Sequence, residues 1–509
     1  MQNTNTKKSC CVPREWPCAQ SRWKTGRSQQ MREGGTSQRV GEPLQQTKLQ
    51  TVWAIPHSGC QSLPLVSMFL CSLPRVAGSS SRSFLRRPLP LPHRAAMAVS
   101  VQLQPSPDSL FDQPLRVRVS GLAPLQQVTM KAWLRDEKEQ LFRSSALYLA
   151  DARGHLDLAH SPALGGHYTG TQPMGLVWSL SPHTPFTRLV KRDVASSPLS
   201  LHIEVFDGHW SLEQLPHQPL ATSTNQRWFM KKGVSRIPVR DGRVRGTLFI
   251  PPGNGPFPGV ITVNEIQGGL PESRASLLAN HGFTTLALAY WRYEDLPEDV
   301  INFDLGYFKE AVNFLKQHPK VKGPGIGAMG ISKGADLVLS MASFLPDVLA
   351  AVVINGCTTS AIFGLCFNNK LVSAGLGYTI SRVQIADSGV ADIFELVNEV
   401  NKDCMMPIEN AEGTILFVVG EDDKNWNSRF FAAEAIKRLK EHGKDNFEIL
   451  SYPGAGHFLD PPFFPFCYAS YHMVVGMPAR WGGNAKDHSS AQEDLWPKVQ
   501  EFLQKVLNQ

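Results

Sequence analysis

The run Gly330-Ile331-Ser332-Lys333-Gly334 follows a short apolar stretch, Ile326 to Met329. It leads directly into Ala335, Leu337, Val338, Met341 and Ala342 at helical spacing. A strand that turns into a helix within one residue holds its serine in a cramped backbone conformation. The positions two before and two after it must then be nearly free of side chain, and glycine occupies both. Such a turn projects the hydroxyl into a cleft and sets it at a helix N-terminus, where developing negative charge is favoured. The alternative is an ordinary turn with a serine cap. The strand before and the helix after favour a nucleophile elbow centred on Ser332.

Charge divides the chain unevenly. Residues 1–97 hold 14 Lys/Arg and 3 Asp/Glu, leaving 37 and 41 in residues 98–509. The formal +7 therefore belongs to the extension, the remainder is mildly acidic, and no basic stripe argues for nucleic acid. No apolar run approaches the length of a transmembrane segment; Leu349 to Ile354 has the size of a buried parallel strand. Five of the nine cysteines precede residue 72, and no Cys/His spacing suggests zinc. Cys357, Cys366, Cys404 and Cys467 are expected to be reduced, buried thiols of a reducing compartment.

Residues 1–97 are rich in Ser, Gln, Arg and Pro without sustained periodicity, and predict a disordered extension. Within it, 68–96 has the Arg- and Ser-rich, acid-free composition of a mitochondrial transit peptide, with a start at Met68 and the matrix as destination. A cytoplasmic tail is the alternative. Residues 98–225 alternate with period two in Val99–Leu103, Leu115–Val119, Gln127–Leu134 and Leu199–Phe206, with turn formers between, including Asp151-Ala-Arg-Gly and Gly165-Gly166. That pattern predicts a small antiparallel β-sandwich. Residues 226–509 change to strand–helix alternation around a mostly parallel sheet. With the elbow, the expected fold is α/β, an α/β-hydrolase preceded by the sandwich. The stretch 358–410 breaks the rhythm and is expected to cap the cleft.

A serine hydroxyl needs a base to take its proton as it attacks. In an α/β-hydrolase an acid and then a histidine follow the serine, each on a loop after a late strand. Asp422-Asp423 follows the run Ile415–Val419, and His457 follows Tyr452-Pro-Gly-Ala-Gly. Asp423 is preferred over Asp422 as the orienting carboxylate, but spacing alone leaves the pair ambiguous; one of the two is expected to cap a helix. One oxyanion donor is expected to be the backbone N–H of Lys333. The second is expected from Asn264-Glu265-Ile266-Gln267-Gly268-Gly269, with Glu265 and Ile266 as candidates. The Lys333 side chain is expected to be exposed.

From about residue 98 onward the chain resembles the type I acyl-CoA thioesterase and bile acid-CoA:amino acid N-acyltransferase family. The likeness is carried by Leu134-Arg-Asp-Glu-Lys, Leu189-Val-Lys-Arg-Asp-Val, Tyr293-Glu-Asp-Leu-Pro, Gly330-Ile-Ser-Lys-Gly-Ala, Ala351-Val-Val-Ile-Asn-Gly, Gly420-Glu-Asp-Asp-Lys-Asn-Trp, Tyr452-Pro-Gly-Ala-Gly-His and Trp481-Gly-Gly. The resemblance implies a triad of Ser332, Asp423 and His457, which resolves the aspartate ambiguity. It also implies an acyl-CoA substrate, no metal and no redox cofactor; a monomer is the default expectation.

Two departures stand out. Relatives usually carry a Gly-rich run where this chain has Asn264-Glu265-Ile266-Gln267, and the chain ends in Leu507-Asn-Gln rather than a Ser-Lys-Leu-like peroxisomal tail. The resemblance implies an acyl-enzyme in both branches of the family, with water or an amino acid as acceptor. An acyl-cysteine, typical of the bile-acid branch, stays a thioester reactive towards amines. An acyl-serine is an oxyester that activated water can hydrolyse. Ser332 thus favours hydrolysis of fatty acyl-CoA to fatty acid and CoA. The alternatives are an N-acyltransferase making glycine or taurine conjugates, and a non-catalytic relative.

Overall fold

The structure, a computed structural model, describes residues 98–377, 380–397 and 404–508. The extension 1–97, with the expected transit segment 68–96, lies outside them.

Two sheets form the N-terminal part. Ser100–Gln104, Arg116–Ser120 and Leu156–Asp157 make one, antiparallel throughout. The other is ordered Asp108–Leu110, Ala221–Trp228, Leu199–Asp207, Gln127–Arg135, Leu141–Leu149 and Gly165–Gly166, with Ser181–Pro182 also on Leu141–Leu149. Alternation puts Leu103, Val117 and Val119 of the first sheet and Val128, Met130, Ala132, Leu201, Ile203 and Val205 of the second into one core. Two strands bury polar residues where the alternation rule expects apolar ones. Leu141–Leu149 buries Ser144 and Ser145, and Ala221–Trp228 buries Asn225 and Arg227. Most of their polar groups are paired: Asn225 bonds Ser109 and the carbonyls of Pro105 and Pro107, and Arg227 bonds Ser109 and the carbonyls of Phe111 and Gln113 through its two terminal nitrogens, leaving Nε without a partner among the described residues. Gly165-Gly166, expected as a turn, is a short strand paired with Ala146 and Leu147.

The C-terminal part is built on eight strands in the spatial order Ser235–Asp241, Val244–Ile250, Thr284–Ala289, Phe257–Val263, Val321–Ile331, Val348–Ile354, Thr414–Gly420 and Phe447–Tyr452. The first three are antiparallel neighbours; the remaining contacts are parallel. The crossovers carry helices Ser273–Asn280, Leu305–Gln317, Lys333–Phe344 and Ser428–Glu441, and Ala485–Leu507 closes the chain. This is an α/β-hydrolase sheet, whose site lies at the carboxyl ends of the parallel strands. The entering hairpin was not evident from sequence. Its first strand is an exposed edge interrupted by Pro238, which suits only an edge.

One hydrophobic cluster runs through the sandwich into one face of this sheet, joining Phe111, Leu115 and Leu201 to Phe229, Leu277, Met329, Trp496 and Phe502. A second fills the opposite face around Leu305, Phe308, Leu337 and Phe417. The seam is aromatic: Phe111 stacks on Phe229 at 4.6 Å and meets Phe464 at the same distance. The stretch 358–410 forms short strands. Gly364–Phe367 lies parallel to Asn302–Asp304 and pairs with Lys370–Ser373, while Ala391–Asp392 pairs with Gln384–Ile385 and Met477–Arg480.

A shared core couples the two parts. Residues 98–509 are expected to unfold in one calorimetric transition, and Phe229→Ala to lower it as a whole at a cost of about 3–5 kcal/mol. Two separate transitions, with only one moved by the substitution, would contradict this.

Candidate active site

The elbow has the backbone its glycines predict. Ser332 sits at φ 57° and ψ −129°, between strand Val321–Ile331 and helix Lys333–Phe344. A Cβ on Gly330 would lie 2.2 Å from the Gly334 carbonyl oxygen, and one on Gly334 would lie 2.3 Å from that of Val263. Helix, elbow strand and the start of the 264–269 loop therefore touch backbone to backbone. The N–H of Lys333, in the first helical turn, has no intrahelical acceptor.

The Lys333 side chain corrects the sequence expectation: it is 1% exposed. Its Nζ donates to Ser360 Oγ at 3.0 Å and to the Ala361 carbonyl at 2.9 Å, and lies 3.6 Å from Asp336. Asp336 accepts the N–H groups of Cys357 and Ala361. Burial drives the lysine down and the aspartate up from their ordinary ranges, each opposed by the other's charge. The pair ties the segment after Ile354 onto the elbow helix. Cys357, Cys366 and Cys404 are buried thiols; Cys467 is only partly buried.

Asp423 and His457 follow strands Thr414–Gly420 and Phe447–Tyr452 and are buried at 3% and 0% exposure. His457 Nδ1 and Asp423 Oδ2 are 2.8 Å apart. The same carboxylate accepts Ser428 Oγ at 2.5 Å and the N–H groups of Asn425 and Trp426 at 2.8 and 3.4 Å. Asp422 turns elsewhere, to the Gly483 N–H and Lys424, so geometry separates the two aspartates. Neither caps the following helix; Asn427 does, accepting from Phe430 N–H. Trp481 stacks on the imidazole at 5.8 Å, and its carbonyl accepts the His457 N–H. His457 Nε2 is buried and has no hydrogen-bond partner among the described residues, Ser332 included. Ser332 itself is 5% exposed.

Two residues that sequence reasoning passed over hold this arrangement. Asn355 follows strand Val348–Ile354, whose Ile354 carbonyl accepts the Ser332 N–H. Its amide donates to the carbonyls of Gly456 and His457 and accepts from Gly420 N–H at 2.7 Å. One side chain thus ties the end of its own strand, the neighbour of the serine strand, to the ends of the strands that precede Asp423 and His457. The only signal was a polar residue closing an apolar run. His488, on the last helix, accepts from Gly456 N–H through Nδ1 and faces the Phe458 carbonyl through Nε2 at 2.9 Å, which fixes a neutral ring.

The 264–269 loop is held by side chains. Tyr290 Oη donates to the carbonyls of Asn264 and Glu265, and Arg274 donates to Asn264 Oδ1 and Asp460 Oδ1 at 3.0 and 2.9 Å. Arg188 reaches Glu265 Oε1 at 2.6 Å and Asp460 Oδ2 at 2.7 Å. Ile266 is buried beside them.

Burial depresses His472 and His488 to about 4, from an ordinary 6.5. Between those values the unfolded chain binds more protons than the folded one. The stability that these two neutral rings contribute is therefore intact above about pH 6.5 and is lost as pH falls towards 4. Melting temperatures of His488→Gln across this window are expected to fall less steeply than those of the unaltered chain; equal slopes would exclude the histidine as a source.

The C-terminal region described as BAAT/acyl-CoA thioester hydrolase matches residues 303–509, and the acyl-CoA thioester hydrolase/BAAT N-terminal region matches 112–241. Acyl-coenzyme A thioesterase 1 of Rattus norvegicus is 48% identical over 415 residues, covering 81% of this chain and 97% of that protein. The rat protein named acyl-coenzyme A thioesterase 2, mitochondrial, is 49% identical over 80% of this chain and 90% of its own length. A Mus musculus protein named peroxisomal succinyl-coenzyme A thioesterase is 48% identical over 81% and 97%. With both regions matched in order and its relatives covered nearly end to end, the chain belongs to the acyl-CoA thioester hydrolase/BAAT family.

Proposed function

We propose that this chain is a serine-dependent acyl-CoA thioesterase that converts acyl-CoA and water into a free fatty acid and CoA. The observation that carries the reading is the buried Asp423–His457 pair: Nδ1 is engaged by the carboxylate, and Nε2 is left bare at the strand ends where the elbow serine emerges. Ser332 Oγ attacks the thioester carbonyl once it comes within about 2.6–3.2 Å of Nε2, which takes its proton. The charge on the carbonyl oxygen is received by the Lys333 N–H and by an N–H of Glu265 or Ile266. The C–S bond breaks, and His457 returns the proton to the departing CoA sulfur. Water then attacks the acyl-serine while His457 takes its proton, and the fatty acid leaves as Oγ is reprotonated. Asp423, excluded from water, holds the imidazolium in place through both steps.

The proposed functional unit is a monomer in which residues 98–225 support a catalytic region, 226–509. Ser332→Ala is expected to lower kcat by about 10³-fold or more, and Asp423→Asn by about 10³–10⁴-fold, with KM little changed. These are checked by thiol release from a panel of acyl-CoA substrates. Undiminished turnover in the alanine variant would end the reading. With glycine or taurine present, fatty acid is expected to match CoA released; amide outrunning it would assign the chain to conjugation.

We infer the mitochondrial matrix as the destination. Relatives include proteins named mitochondrial and peroxisomal, so support comes from the composition of residues 68–96, without acid and with Arg75, Arg82, Arg86, Arg87 and Arg94. Residues 68–96 fused to a fluorescent protein are expected to direct it into mitochondria. A diffuse cytoplasmic signal would count against it.

A further inference from the structure

The 264–269 loop carries a carboxylate, Glu265, at the place where the proposed mechanism gathers negative charge. An ionised side chain beside an oxyanion would oppose the charge developing there. Glu265 is largely buried, so water screens it poorly. Its partner comes from the N-terminal part. Arg188 stands in the segment between Ser181–Pro182 and Leu199–Asp207, and its guanidinium spans two loops at once. One nitrogen meets Glu265, the other meets Asp460, three residues after His457, and the plane lies over the Phe458 ring at 3.9 Å. Arg274 completes a cluster of two cations and two anions by bonding the second Asp460 oxygen. Burial alone would weaken the Arg188 charge, but Asp460 and Glu265 outweigh it and keep the guanidinium firmly protonated.

We propose that Arg188 is a positioning residue for catalysis, supplied by the sandwich side: it neutralises and turns aside Glu265 while locking the oxyanion loop and the histidine loop to each other. This rests on the oxyanion role given above to the 264–269 loop. A lysine cannot replace it, because a single ammonium lacks the planar fork that engages two carboxylates simultaneously. Arg188 touches neither nucleophile nor base, so its loss falls on transition-state stabilisation rather than on substrate binding.

The test uses the full chain and two rates: thiol release from acyl-CoA, and covalent labelling of the serine by a fluorophosphonate probe, which needs the nucleophile and oxyanion donors but no CoA. Arg188→Met is expected to slow kcat and labelling by about 10- to 100-fold with KM unchanged. Arg188→Lys should recover only part. In Arg188→Met, adding Glu265→Gln removes the stranded charge and should restore about tenfold of both rates, although it restores no bond between the loops. Labelling of Arg188→Met at the normal rate per folded molecule, or a double variant no faster than the single, overturns the proposal. Where Arg188→Met does not fold, Arg188→Lys decides: full kcat and labelling overturn it, and a loss of about tenfold at a melting temperature within a few degrees sustains it. Ser332→Ala, run alongside, separates this from the hydrolase reading. An unaltered chain that neither labels nor releases CoA sinks both, whereas a labelled chain indifferent to Arg188 sinks the inference alone.

Discussion

The close approach of helix Lys333–Phe344 to the strand that feeds it is the constraint on which the rest of the site depends. Backbone meets backbone at Gly330, Gly334 and Val263, with no room for a single Cβ at either glycine. That contact forces Ser332 into a left-handed conformation at a cost of order 1–3 kcal/mol, which the surrounding core sustains. It also sets the first turn of that helix against the start of the 264–269 loop. Any side chain at Gly330 or Gly334 would separate the helix from the elbow strand or from that loop and distort the elbow.

Around this turn the protein buries polar groups and then satisfies them. Asp423 accepts four hydrogen bonds, Asn355 spans three strand ends, and both ring nitrogens of His488 are engaged on the histidine loop. An unmet buried donor or acceptor costs about 1–3 kcal/mol, so these contacts rigidify the loops as well as stabilise them. Against that background the bare Nε2 of His457 stands out. The ring is engaged on one side by the Asp423 carboxylate and has no partner among the described residues on the other.

The sandwich is more than an appendage to the sheet. It shares a hydrophobic cluster with one sheet face and sends a guanidinium into the loops flanking the site. The two family regions therefore pack as one body among the described residues. The largely buried Glu265 carboxylate is tolerable in such a body, because a cation from another element, Arg188, stands against it at hydrogen-bond distance.

What could be read from sequence was local. The elbow is written in five consecutive residues, and the central parallel strands in uninterrupted apolar runs such as Val348–Ile354, since a turn and a buried strand are decided by neighbours along the chain. Order along the chain narrowed the acid to Asp422 or Asp423 and the base to His457. The edge strand Ser235–Asp241 was lost because an exposed strand with a proline carries no burial pattern, and Ala221–Trp228 because its buried Asn225 and Arg227 read as polar surface. Tertiary structure decided the rest: that Asp423 faces the imidazole while Asp422 accepts the Gly483 N–H, that Lys333 is covered by Ser360 and Ala361, that Asn355 bonds the His457 backbone and that Arg188 meets Glu265 and Asp460. Each of these is a contact between groups far apart in the chain, and which polar groups meet in a buried interior is settled by how strands and loops pack, not by the residues beside them.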